Sequence, residues 1–125
     1  MTQEDKQLLL KDLCARFSYG TIYNDIHGDS IVTYIDLEES CVYLPDFDEC
    51  RRIEDIKPYL RPMSSMTEEE ATDFEILSDR LLTEADNTKI WNSVVDWLNE
   101  HHFDHRGLIE KGLALEAPEG MYKTE

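Results

Sequence analysis

His101, His102 and His105 form the densest group of side chains able to bind a metal or move a proton near neutral pH. His101 and His105 are four residues apart, which faces both rings one way on a continuing helix. A closed zinc set needs more than this. No cysteine is near, Asp104 is the one close carboxylate, and a further ligand must come from elsewhere. The competing reading puts these histidines at a helix end, where a partly charged imidazole meets the negative end of the helix dipole. Asp46, Asp48 and Glu49 imitate a calcium loop, but the central glycine is missing and Phe47 and Cys50 crowd the pattern. A solvated acidic loop is expected there. Cys14, Cys41 and Cys50 supply thiols, and His27 could act as a base for Cys41. Nothing marks an oxyanion hole or a third orienting group. Phosphate-binding loops of the GxxxxGK[ST] or GxGxxG kind are absent, and basic residues never cluster beyond Arg51-Arg52. The expectation is no metal, no cofactor and no catalytic set.

The elements that position these residues follow from periodicity. Residues 3–17 read as an amphipathic helix with Leu9, Leu13 and Phe17 at four-residue spacing, widened by Leu10 and Cys14. Thr2 is placed to cap it, and Glu4, Asp5 and Asp12 fall on its wet side. Residues 21–53 turn β-branched and aromatic. Strands are expected over 21–27, 30–37, 41–44 and 51–53, with turns at Gly28-Asp29 and Glu38-Glu39-Ser40. Pro58 and Pro62 exclude a regular helix over 54–66, which reads as a hinge. Thr67 and Glu70 then form a capping box. The helix that follows presents Ala71, Phe74, Leu77 and Leu81. Another starts at Asn87 or Thr88, with Ile90, Trp91, Val94, Val95 and Leu98 as its apolar stripe. Trp97 lies at the stripe's edge, either packed under Phe103 and Leu108 or free to anchor a partner. Residues 104–111 suggest a short helix stopped by Gly112, and a loose tail is expected from Pro118. The fold class is α+β in one domain: an N-terminal helix, a small antiparallel sheet or SH3-like barrel, then two or three helices.

Charge narrows the function classes. The chain has 28 acidic and 12 basic residues, a formal charge of -16. Residues 1–62 hold 13 acids and 7 bases, and residues 63–125 hold 15 acids and 5 bases, so the second half is the more acidic. Such a surface repels nucleic acid and anionic membrane, whose phosphates need Lys and Arg. The acidic start of the chain reads as neither signal peptide nor membrane span. Three cysteines without a CxxC pair read as reduced thiols of a cytoplasmic protein.

Two blocks of text carry a resemblance. Residues 56–70 (IKPYLRPMSSMTEEE) form one. Asp96-Trp97-Leu98-Asn99, His102-Phe103-Asp104 and residues 106–122 (RGLIEKGLALEAPEGMY) form the other. Together they resemble a group of small uncharacterised proteins of Bacteroides-type gut bacteria and their phages and prophages. The resemblance covers roughly a third of the chain. It implies a cytoplasmic context and a mobile-element origin. It implies no activity and transfers no site residue.

The leading functional expectation is a non-enzymatic acidic interaction protein, such as a phage accessory protein modulating a host protein, with a basic protein surface as its partner. In its strongest form the acids would mimic a row of phosphates. Asp46, Asp48, Glu49, Glu54 and Asp55, the acids least explained by local structure, are the expected contact region, with Trp97 as an anchor. A small-ligand protein or enzyme is the alternative, using a groove between sheet and helices and drawing on Tyr34, Tyr59, Arg61, His102 and Arg106. A homo-oligomeric structural component is a third.

Overall fold

The computed structural model describes residues 1–83 and 87–122, the side chains of residues 81–83, 87 and 88 excepted. The fold is α+β. Helix α1 (Gln3–Arg16) starts where the Thr2 hydroxyl accepts from the Asp5 amide at 3.0 Å. Its Leu9 and Leu13 are fully buried. A 3-10 turn over Phe17–Tyr19 follows, closed by Gly20 at φ 70, a backbone angle that favours glycine.

Strands β1 (Tyr23–Asp25) and β2 (Gly28–Ser30) form a hairpin in which Asp25 faces Gly28. The turn is therefore Ile26-His27, two residues before the expected Gly28-Asp29. The Asp25 carboxylate makes it, accepting from the His27 amide at 2.8 Å. The strand expected over 30–37 is split. Its first residue ends β2, and Tyr34–Asp36 forms β3 in a different sheet. Apolar residues on both sides of that run suit this crossing, since Val32 is buried while Ile31 and Tyr34 stay exposed. Strand β4 (Cys41–Leu44) falls where the pattern puts it, and β5 (Glu49–Arg52) starts two residues early. These three make one antiparallel sheet.

The hinge expected over 54–66 is overturned. Residues Lys57–Leu60 form β6, which sits between β1 and the short parallel strand β7 (Leu115–Glu116) in a sheet ordered β2-β1-β6-β7. Pro58 is tolerated inside it because β7 pairs only with Tyr59 and Leu60, leaving no partner that needs a Pro58 N–H. Pairings among the described residues thus give two open sheets, and none joins them into a barrel.

Helices α2 (Glu68–Thr83) and α3 (Asn87–Glu100) pack as a hairpin. The capping box forms as expected: the Thr67 hydroxyl accepts from the Glu70 amide at 3.1 Å, and Glu70 accepts from the Thr67 amide at 3.0 Å. Leu81, expected on the apolar face of α2, lies outside the described side chains. The two tryptophans exchange roles. Trp91 is 58% exposed, whereas Trp97 is half-buried and stacks on Phe74 and Phe103. The buried side of α3 runs through Ile90, Val94 and Leu98, and Trp91 turns out of it.

No helix forms over 104–111. The Asp104 carboxylate instead accepts from the Leu108 and Ile109 amides at 2.8 and 3.0 Å, holding a series of turns that ends at Gly112, φ 75. The tail is docked as far as Tyr122, whose hydroxyl donates to the Tyr59 carbonyl and accepts from the Ile22 amide, both at 2.8 Å. Residues 123–125 of the expected loose tail lie outside the described residues.

Candidate functional site

The largest departure from the sequence reading is inside the molecule. Asp12, expected on the wet side of α1, is fully buried, and so is Arg16 one turn later. Arg16 Nε donates to both Asp12 oxygens at 2.9 Å, and its Nη2 donates to the Phe103 carbonyl at 2.6 Å. Arg106 Nη1, 94 positions along the chain, donates to the same carboxylate at 2.7 Å. One carboxylate therefore holds two guanidiniums and ties α1 to the turn after α3. The sequence held a usable signal. Arg16 stands seven residues after Leu9, which puts it on the same face beside that buried leucine.

The histidines belong to this seam rather than to a metal site. His102, at φ 63, places its Nδ1 3.1 Å from the Thr21 hydroxyl and stacks its ring on Tyr122. His105 Nε2 meets Asn99 Oδ1 at 2.8 Å, and His101 Nδ1 meets the Trp97 carbonyl at 2.8 Å. The three rings thus have separate partners. Helix α3 stops at Glu100, so the four-residue spacing that would align His101 and His105 never operates. Burial, reinforced by nearby arginines, pushes the imidazoles of His102 and His105 down to about 4. Both are neutral at physiological pH. Among the described residues, no group of three His, Cys, Asp or Glu side chains is arranged to hold a metal ion.

A cavity of ≈ 350 Å³ opens beside the seam, between the end of α1, β1 and the crossing residues 31–33. Arg16 and Tyr23 both line it. Arg16 Nη1 and the Tyr23 hydroxyl are buried without a hydrogen-bond partner among the described residues. Each such orphan costs about 1–3 kcal/mol. A broader cavity of ≈ 630 Å³ lies between Arg61, Pro62, Thr67, Glu116, Glu119 and Tyr122. Its one guanidinium is already occupied: Arg61 makes a two-pronged pair with Glu70, at 2.7 and 2.6 Å, and lies 4.2 Å over the Phe103 ring. That pair draws the Glu70 carboxyl down to about 2.

The other predicted residues disperse. Tyr34 is exposed on β3, and Tyr59 is half-buried on β6. His102 and Arg106 are engaged in the seam. In the acidic loop, Asp48 accepts from the Tyr43 hydroxyl, Glu49 pairs with Arg51, and Glu54 pairs with Lys6 at 2.9 Å. Asp46 and Asp55 are exposed and make no ion pair with the described residues. His27 meets Phe47 in the β1–β2 turn, while Cys41 belongs to the other sheet. Cys41, raised by desolvation and by Asp36, is a poor nucleophile.

Helix α2 gathers acids beyond the Glu70 of its capping box. Glu69, Asp73 and Asp79 share one exposed face with Thr72, Arg80 and the 61% exposed Ile76. Among the described residues, no ion pair engages Glu69, Asp73 or Asp79. No helix among the described residues is long and apolar enough to cross a membrane. Compared with protein-family models, curated proteins and solved structures, the chain matches none. The two text blocks noted above meet in space. The Arg61 amide donates to the His102 carbonyl at 2.8 Å, and the Asp104 amide donates to the Arg61 carbonyl at 2.9 Å. Their shared ground is a structural seam.

Proposed function

We propose that this chain is a non-enzymatic interaction protein whose acidic surface engages a basic surface of another protein. One observation carries the reading: four arginines are taken up in internal ion pairs with Asp12, Asp25 and Glu70, while the acids on the outer face of α2 have no such pair among the described residues. Arg16, Arg51, Arg61 and Arg106 are all held in ion pairs at sites at most 15% exposed. The outer face of α2 keeps Glu69, Asp73 and Asp79 free of such pairs, around an exposed Ile76. Unpaired carboxylates steer a basic partner from a distance, and a central apolar side chain supplies close contact. The acidic loop is the weaker candidate, since Asp48, Glu49 and Glu54 already have partners.

The test uses the full chain as bait in host cytosol, washed at low and at moderate salt. Its controls are two neutralised variants, Glu69→Gln/Asp73→Asn/Asp79→Asn on α2 and Asp46→Asn/Asp48→Asn/Glu49→Gln in the loop. The α2 variant and the salt wash are expected to release the same partner, while the loop variant keeps it. A partner retained through both the salt wash and the α2 change would refute the electrostatic reading.

A further inference from the structure

The cavity beside the seam combines an apolar wall with two unused hydrogen-bond donors. Leu13, Phe17, Ile31 and Val32 supply the wall. Phe17 and Ile31 are 43% and 42% exposed, so the cavity opens between two apolar side chains. Arg16 and Tyr23 line it as well. Arg16 is 0% exposed and Tyr23 is 2% exposed, so both are shut off from water as the cavity stands, and Arg16 Nη1 and the Tyr23 hydroxyl have no partner among the described residues. Both can donate. A guanidinium has no acceptor, and burial together with Asp12 raises the Tyr23 phenol far enough to keep its proton. The local charge also has a sign. Asp12 is shared by Arg16 and Arg106, so the group carries one more cation than anion. His102 and His105 are neutral beside it.

We propose that this cavity is a binding site for a small amphipathic carboxylate. Its two oxygens accept from Arg16 Nη1 and the Tyr23 hydroxyl once the lining side chains shift enough to uncover them, and its hydrocarbon part packs on Leu13, Phe17, Ile31 and Val32. Two donors match the two oxygens of a carboxylate. A phosphate brings more oxygens and more charge than the free donors can satisfy at depth. A neutral ligand leaves the excess positive charge unanswered.

Amide-resolved NMR of the full chain tests this, with benzoate and hexanoate as probes and benzamide and hexanamide as neutral counterparts. At least one carboxylate is expected to give saturable shifts at Leu13, Thr21, Tyr23 and Val32. Its amide should bind about tenfold more weakly, having lost a charge-assisted bond. Arg16→Met would release Asp12 and the Phe103 carbonyl and risks unfolding the chain, so Tyr23→Phe is the principal variant. It should weaken binding about fivefold while leaving the unliganded melting temperature unchanged or higher, because its hydroxyl has no partner to lose. Ile31→Ser, at the exposed mouth, should weaken hexanoate about threefold through lost apolar contact. The proposal is overturned by the absence of saturable shifts at these residues with both carboxylates. Amides binding equally well, or affinities unmoved by both variants, would overturn it too.

Discussion

Helices α1 and α2 each carry acids and an arginine, and the protein treats the acids in opposite ways. On α1, Asp12 and Arg16 are sealed from water. On α2, Asp73, Ile76 and Asp79 face it. Local sequence does not make the difference. Arg106 and the Phe103 carbonyl arrive from the far end of the chain to complete the α1 pair, whereas the described residues bring no ion-pair partner to Asp73 or Asp79. A buried charge survives only when its desolvation is answered by several well-placed partners. An exposed one keeps its hydration and contributes a long-range field. The formal charge of -16 is therefore not spread over the molecule as the sequence suggests. Four of the twelve basic residues are withdrawn into seams together with Asp12, Asp25 and Glu70, and the outer face of α2 keeps acids without ion pairs among the described residues.

The strongest way to break this contrast is Asp12→Asn, which keeps the shape and leaves two guanidiniums facing each other. A loss of about 3–5 kcal/mol is expected in urea unfolding, as for other buried pairs deprived of one partner. A loss below about 1 kcal/mol, the range of surface pairs, would mean that Asp12 is hydrated in solution.

Glu70 is an intermediate case, an acid of α2 drawn inward by Arg61. Its carboxyl is held at about 2, below the unfolded range near 4.3. The stabilisation is therefore complete above the unfolded value and is lost as pH falls toward 2, because the unfolded chain takes up the proton first. Glu70→Gln should cost about 1–3 kcal/mol at neutral pH, the range for a charged hydrogen bond. It should also flatten the stability profile between those two pH values. A thermal-melting series in which wild type and variant run parallel through that window would contradict the pairing.

The smallest effect is expected on the outer face. Asp73→Asn/Asp79→Asn should leave stability within about 0.5 kcal/mol, as for ordinary surface changes. The same change contributes to the loss of partner binding described above. A large stability change here would show that these acids are structural, and would remove the contrast with α1.

Local features were readable without the structure. Thr2 and Thr67 are placed by capping chemistry that involves only residues three positions away. The Cys41–Leu44 strand follows from its β-branched and aromatic composition and the turn before it. Two misreadings were local, the Ile26-His27 turn made by Asp25 and the turns held by Asp104, but the larger ones came from distant partners. Residues 54–66 looked like a hinge because two prolines exclude a helix, and a strand there became visible only with β1 and β7 on either side. Trp91 fits the apolar stripe as well as Trp97 does, and which ring is covered depends on where Phe74 and Phe103 lie. The candidate cavity was the least legible part. Tyr23 and Val32 fall within expected strands and Arg16 near the end of the helix expected over 3–17, with nothing local to bring them together.

Sequence alone determined the α+β class, the capped helix starts, the Cys41–Leu44 strand and the negative sign of the charge, because these rest on periodicity, composition and contacts within a turn or two. Only the tertiary structure decided which charges are dry, which tryptophan is covered, and that Arg16 and Tyr23 share a cavity. Each of those depends on residues from distant parts of the chain meeting in space, and helical or strand spacing carries no information about such meetings.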